Sequence, residues 1–127
     1  MNSLMTLVSA AAAAAAQPAP APPLLLSDAA RQDVRCFVLY AIAVDDAQDE
    51  KVKAGTSLGL MYYFAKIKLE APALNLAAAI RQEATAMEKD PKVKEDGAAC
   101  DTEFQKRADE LIDLGQQLEE LAPHSSS

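Results

Sequence analysis

The sequence predicts an all-α protein, a small four-helix up-and-down bundle tied by one disulfide between its first and last helices. Apolar residues recur with a helical period of ~3.6 in four segments, and short polar or proline-containing links separate these segments. No run alternates apolar and polar residues as a half-buried strand does. Consecutive helices joined by short links pack antiparallel to one another, which is the arrangement of such a bundle.

The chain begins with an apolar run over residues 4–16, LMTLVSAAAAAAA. Its length is too short for a membrane-spanning helix of ~20 residues but suits the centre of a secretory signal, with Ala14 and Ala16 before a cleavage site at Gln17. We therefore expect residues 1–16 to be a signal peptide and the mature protein to be periplasmic or secreted. The start, MNS, has no Lys or Arg, which leaves a disordered alanine-rich arm as the alternative.

Residues 17–27 open with QPAPAPP, a composition that favours extended polyproline conformations. We interpret this segment as a semi-rigid spacer, and a proline-rich ligand is the alternative. The helical domain is then expected to cover residues 28–121. Residues 122–127, which include three terminal serines, are expected to form a disordered tail.

The first helix is predicted over residues 28–44, with Ser27 as its N-cap residue. The following link, DDAQDE at residues 45–50, places acids at the N-terminus of the second helix, where negative charge is favoured. Its D-D-x-x-D spacing is similar to the magnesium-binding motif of isoprenoid synthases. We interpret it as an acidic loop and helix start, because this chain is too short to enclose the substrates of those enzymes.

The second helix, predicted over residues 50–69, has a wide apolar face and is expected to be the central one. Gly55 and Gly59, four residues apart, would let a neighbouring helix approach closely on one side. The aromatic side chains of Tyr63 and Phe64 would fill the adjoining core. Pro72 follows the helix and disfavours its continuation.

The third helix is predicted over residues 74–89, and Asp90-Pro91 then supplies an N-cap residue and a proline at the first position of the fourth helix. That helix is expected to run to residue 121, weakened at Gly97. Phe104 belongs to its apolar stripe, which repeats every seven residues and is the clearest pattern in the chain.

Cys36 and Cys100 lie on the apolar stripes of the first and last helices, which are neighbours in an up-and-down bundle. Behind an export signal, two such cysteines predict a disulfide rather than two buried thiols. Closing this loop would stabilise the domain by ~4 kcal/mol in the chain-entropy model. Redox catalysis is not indicated, because no C-x-x-C pair is present.

Composition and residue types exclude several classes of function. The formal net charge of −7 argues against nucleic-acid binding and against adsorption to anionic lipid. The only histidine, His124, lies near the C-terminus, so we expect no metal site, no cofactor and no catalytic residue. Glu83, Glu88 and Glu103 are expected on solvated polar faces. The second helix has a basic edge of lysines, which we expect to be solvated or to pair with acids on neighbouring helices: Lys51, Lys53, Lys66 and Lys68.

The order of leader, proline-rich spacer, R-C-F-V at residues 35–38, G-x-x-x-G-x-x-Y-Y-F at residues 55–64 and a late cysteine resembles short exported proteins of Gram-negative bacteria that have no assigned function. More remotely, Ala99-Cys100 followed by Phe104 is similar to the second-cysteine region of the HdeA-type periplasmic acid-stress chaperones. That resemblance implies a helical chaperone activated by acid.

Three hypotheses follow. The first is a non-enzymatic exported protein that binds an unknown protein partner in the cell envelope, without membrane insertion after signal removal. The second is a chaperone of the HdeA type, supported by the 19 acidic side chains, whose full protonation would leave a charge of about +13. The third is an enzyme of unrecognised type, which convergent carboxylates in a cavity would favour.

Overall fold

A computed structural model describes residues 22–122 of the protein and contains no strand within that range. Its helices, in chain order, are α1 (Asp28–Asp46), α2 (Glu50–Glu70), α3 (Leu76–Met87) and α4 (Val93–Leu121). The Cys36–Cys100 disulfide joins α1 to α4. The predicted all-α four-helix bundle, with a disulfide between its first and last helices, is confirmed. The predicted leader, residues 1–16, and the tail after residue 122 lie outside the described residues.

Polar side chains fix several helix boundaries. Ser27 Oγ accepts a hydrogen bond from the Ala30 N–H at 3.1 Å, as expected of the predicted N-cap residue. Asn75 caps α3 in the same way, so that helix begins two residues later than predicted. Asp90 is not the N-cap residue of α4, because its carboxylate instead accepts from the Lys92 N–H at 2.8 Å in a turn that precedes the helix.

The acidic link between the first two helices is shorter than predicted. Asp45 and Asp46 are the last residues of α1, and Asp49 caps α2 by accepting from the Lys51 N–H at 2.7 Å. Asp49 and Glu50 therefore lie at the N-terminus of α2, where the helix dipole favours negative charge. Asp45 and Asp46 lie at the C-terminus of α1, where the helix dipole disfavours it.

Helix α1, rather than α2, is the central helix, because the other three helices each pack against it. At Gly59 a Cβ atom would lie 2.3 Å from a ring carbon of Tyr40, so the missing side chain makes room for that ring. Tyr63 is fully buried in the same interface. Gly55 is exposed and has nothing within 4 Å of its Cβ position, so the close approach predicted there is not present.

The folded unit begins before α1. The Leu24 N–H donates to Gln82 Oε1 at 2.7 Å, and the Leu24 carbonyl oxygen accepts from Gln82 Nε2 at 3.0 Å. Leu24 and Leu26 also pack against a core cluster of Val34, Ile67 and Ala79. The end of the predicted spacer, residues 17–27, is therefore part of the fold, whereas residues 17–21 lie outside the described range.

Only the first half of α4 packs on the bundle. Gly97 does not interrupt the helix, Cys100 is buried and Phe104 is partly buried. From residue 109 to residue 121 every side chain is exposed. We call residues 109–121 the projecting segment.

Candidate functional site

The disulfide lies where α4 meets α1, and aromatic side chains surround it. Cys36 and Cys100 are each 1% exposed, with their Cα atoms 5.5 Å apart. The Tyr40 ring stacks on Tyr63 at a centroid distance of 5.7 Å and meets Phe104 edge-on at 5.7 Å. Burial of both tyrosines raises the pKa of each hydroxyl above its ordinary value. These hydroxyls therefore remain protonated hydrogen-bond donors.

Lys66 on α2 joins α1 to α4 through two carboxylates. Its Nζ lies 2.9 Å from Asp33 Oδ1 and 2.6 Å from Glu103 Oε1. The Tyr63 hydroxyl lies 2.7 Å from Glu103 Oε2 and 2.8 Å from the Cys100 carbonyl oxygen. Burial disfavours the charges of Lys66 and Glu103, but their hydrogen bonds outweigh it, raising the pKa of Lys66 and lowering the pKa of Glu103. We call Lys66, Asp33 and Glu103 the lysine cluster.

Arg35 on α1 forms a second charged cluster with carboxylates from α3, the α3–α4 turn and α4. Its guanidinium lies 3.2 Å from Glu83, 2.6 Å from Asp90 and 3.1 Å from Asp96. The hydrogen bond to Asp90, followed by those to the other two acids, raises the pKa of Arg35, and the same bond lowers the pKa of Asp90. This arginine cluster attaches α3 and the start of α4 to the central helix.

The structure corrects the placement of two acids. Glu83 was expected on a solvated face but is 3% exposed, because Arg35 and Arg31 both reach its carboxylate. Glu103, also expected on a solvated face, is partly buried in the lysine cluster. No local pattern marks either residue, since the cationic partners lie on other helices.

A small cavity of about 90 Å³ adjoins Asp33, Glu70 and Ile67. Burial raises the pKa of Asp33, the bond to Lys66 opposes this rise, and the neighbouring Glu70 adds to it. A raised carboxyl pKa beside a cavity is one mark of a functional site, but ligand pockets usually measure ~300–1,000 Å³. The cavity suits a few water molecules, and Asp33 already pairs with Lys66.

The remaining predicted core residues lie in different surroundings. Phe104 lies among the aromatic rings that surround the disulfide, with its ring centroid 5.9 Å from that of Tyr62. Phe64 is 45% exposed at the edge of α2, with the Lys68 ammonium 5.8 Å from its ring centroid. Sequence reasoning missed Tyr40, the side chain that fills the space beside Gly59, although its position four residues after Cys36 places it on the same face of α1.

A second apolar surface runs along the outside of α2. Leu58, Met61 and Leu69 are 60%, 66% and 83% exposed, and Ala65 lies among them. At 100° per residue these positions lie on the side of the helix opposite the buried Ile67. The helix therefore has apolar residues on two opposite faces, and only one of these faces packs on the bundle. We call Leu58, Met61, Ala65 and Leu69 the outer stripe of α2.

Within residues 22–122, no group of three or more His, Cys, Asp or Glu side chains is arranged to hold a metal ion. No described helix is both long enough and apolar enough to cross a membrane. His124 lies outside the described residues. Each carboxylate of the two charged clusters already faces a cationic side chain. Protonation of these carboxylates would weaken the contacts between helices.

Comparison of the chain with protein-family models, curated proteins and solved structures finds no match in any of the three.

Proposed function

We propose that the protein is an exported, non-enzymatic protein of the periplasm that acts by binding another protein of the cell envelope. The outer stripe of α2 carries this proposal, because its apolar side chains are exposed along a helix whose opposite face packs on α1. Exposed apolar patches of this kind mark protein–protein contacts in soluble domains.

The charges around the outer stripe indicate the chemistry of the partner. Although the chain is acidic overall, Lys51 and Lys68 border the stripe on α2. Lys68 also lies above the half-exposed ring of Phe64. A partner helix with apolar residues along one face and an acid placed near Lys68 would match this surface, in the manner of two helices that pack face to face.

A crosslinking experiment in cells tests the binding proposal. A photoreactive residue in place of Met61 should crosslink one discrete envelope protein, and Leu58→Glu with Ala65→Glu should abolish that product. A photoreactive residue in place of Gln116, which is exposed on α4, serves as the control. The binding proposal fails if the product at position 61 is equally strong at position 116 or survives the two glutamates.

The proposed export has its own test. The Cys36–Cys100 disulfide is compatible with an oxidising compartment. Intact-mass spectrometry of separate periplasmic and cytoplasmic fractions should find a periplasmic species that starts at Gln17 and lacks two hydrogens. A full-length, reduced cytoplasmic species would overturn the export proposal.

A second candidate function is an acid-stress chaperone, and the two charged clusters favour it. They attach α3 and α4 to α1 and α2 through carboxylates, so protonation would loosen the fold and expose apolar surface. At pH 2–3 we then expect dye binding and suppressed aggregation of a client protein. A protein that remains compact and inert at that pH while the client aggregates would exclude this function.

A further inference from the structure

The projecting segment has an apolar stripe that no described residue covers. The leucines of this stripe are 71%, 54%, 65% and 80% exposed, in the order Leu111, Leu114, Leu118 and Leu121. At 100° per residue they continue the face on which Cys100 and Phe104 pack against the bundle. We call these four leucines the leucine stripe. The stripe continues the buried face of α4 past the point where the helix leaves the core of the bundle.

The spacing of the leucine stripe suits a second copy of itself. Successive leucines are separated by three, four and three residues, which is the spacing of the seam positions of a coiled coil. Any heptad seam of four such positions has this spacing, so the leucines of a second copy can face these layer by layer, in an antiparallel arrangement as well as in a parallel one.

The residues beside the leucine stripe permit two acidic chains to meet there. Gly115 lies on one flank and Gln117 on the other, and neither carries charge. The nearest acid, Glu110, lies before the first leucine and is paired with Arg107 at 2.8 Å. In a chain of net charge −7, the seam itself is therefore free of like charges that would oppose pairing.

Gly115 is a second, independent indication of close helix approach. Glycine in a helix interior lowers helix stability, and here it occurs in a part of α4 that no other helix supports. Its Cβ position has nothing within 4 Å. A small residue on the flank of a seam lets a second helix approach closely, so the glycine has a packing use only when a partner is present.

The bundle determines the orientation of the second copy. Near Cys100 and Phe104 the same face of α4 is covered by α1 and α2. A parallel partner would bring its own α1 and α2 into that occupied space, whereas an antiparallel partner places its bundle beyond the free end. We propose that two copies of the chain pair through their projecting segments as antiparallel helices, with Leu114 against Leu118 and Leu111 against Leu121 of the second copy.

The size of this contact sets the expected affinity. The overlap from Leu111 to Leu121 is about 17 Å long at 1.5 Å per residue. Such a contact is at the small end of specific interfaces. We therefore expect a weak, reversible dimer.

Sedimentation velocity of the oxidised protein over a range of about 1 µM to 1 mM tests the proposal. The mass should rise from monomer to dimer, and Leu114→Glu with Leu118→Glu should weaken association at least tenfold. The matched control, Gln105→Glu with Gln116→Glu, adds the same charge on the opposite face of α4 and should leave association unchanged. Gly115→Leu should raise helicity and yet weaken the dimer. A monomer at 1 mM, or a dimer insensitive to the leucine substitutions, would overturn the proposal.

Disulfide crosslinking distinguishes an antiparallel from a parallel pair, and a substitution on α2 tests whether the contact lies there instead of on α4. When Leu114→Cys protein is mixed with Leu118→Cys protein under oxidation, the mixed dimer should be the main product. Predominant homotypic products would indicate a parallel pair and contradict the proposed arrangement. Loss of the dimer on Leu58→Glu substitution would place the contact on α2 instead, and would equally overturn it.

Discussion

Two glycines on one helix, Gly55 and Gly59, should respond in opposite directions to the same substitution. Alanine at position 59 would place a Cβ atom 2.3, 2.5 and 2.8 Å from three ring carbons of Tyr40. Ordinary carbon–carbon contacts are ~3.5–4.0 Å, so either the ring or α2 has to move by at least ~1.2 Å. At position 55 the same atom meets nothing within 4 Å.

The Tyr40 ring has little freedom to move away. It stacks on Tyr63 and meets Phe104, and its hydroxyl donates to Asp101 at 2.8 Å. Overpacking of this kind usually costs ~1–3 kcal/mol, against a gain of ~1 kcal/mol in helix propensity. Because the obstacle is a fixed aromatic ring, we expect Gly59→Ala to lower the free energy of unfolding by about 2 kcal/mol.

Gly55→Ala has only the propensity gain and should raise the free energy of unfolding by about 1 kcal/mol. Thermal and urea unfolding, followed by far-UV circular dichroism, measure both variants. For a domain of this size the melting temperatures should differ by more than ~10 °C. Gly59→Leu should be more damaging than Gly59→Ala. Stabilisation by alanine at both positions, or a cost at Gly59 that persists in a Tyr40→Ala background, would refute the packing argument.

Three further predictions concern the covalent and ionic links. Replacing Cys36 and Cys100 together by alanine should lower the free energy of unfolding by about 4 kcal/mol, measured by urea unfolding against the oxidised parent. The pKa of Glu103 is lowered in the fold, so its contribution is present above its ordinary pKa of 4.5 and is lost as the pH falls further. Glu103→Gln should therefore be less stable than the parent at pH 7, and the difference in stability should shrink as the pH falls below 4.5; a constant gap would contradict this linkage. Arg35→Met should cost about 3 kcal/mol because it removes a partner of the 4%-exposed Glu83 carboxylate, and adding Glu83→Gln should restore part of that loss.

The helices could be predicted from the sequence because burial imposes a 3.6-residue period on each of them. Their ends differ by one or two residues, since an end depends on which polar side chain caps it. Asn75 and Asp90 show both cases: one caps a helix that was predicted to start earlier, and the other caps a turn instead. The disulfide could be predicted because both cysteines lie on apolar stripes of helices that were expected to be adjacent.

The central position of α1 could not be predicted, for a physical reason. Helix α2 is apolar on two opposite faces, which in a sequence is typical of a helix surrounded by others. In the fold one of those faces is uncovered, as the 60% exposure of Leu58 shows. A sequence pattern records which side chains are apolar but not whether the chain contains enough helices to cover them.

The two charged clusters also could not be predicted from local sequence patterns. Arg35 and Glu83 are 48 residues apart, and Lys66 and Glu103 are 37 apart. A carboxylate on a polar helix face is usually solvated, so the sequence predicts exposure for such a residue. Only the folded structure shows that a cation from another helix is close to it. Long-range ion pairs of this kind depend on helix docking, and only the structure shows which acids are buried by it.

The attachment of α4 has a mechanical consequence. Its contacts with the bundle run from Asp96 to Phe104, so the bundle holds the first half of α4 and leaves the second half unsupported. From Phe104 to Leu121 the helix continues for about 26 Å at 1.5 Å per residue. A change of ~10° in the direction of α4 therefore moves its tip by ~4.5 Å, slightly less than one helical turn. Small repacking of the rings beside Cys100 would thus be amplified into a larger displacement at the tip, which a pair of distance labels can measure.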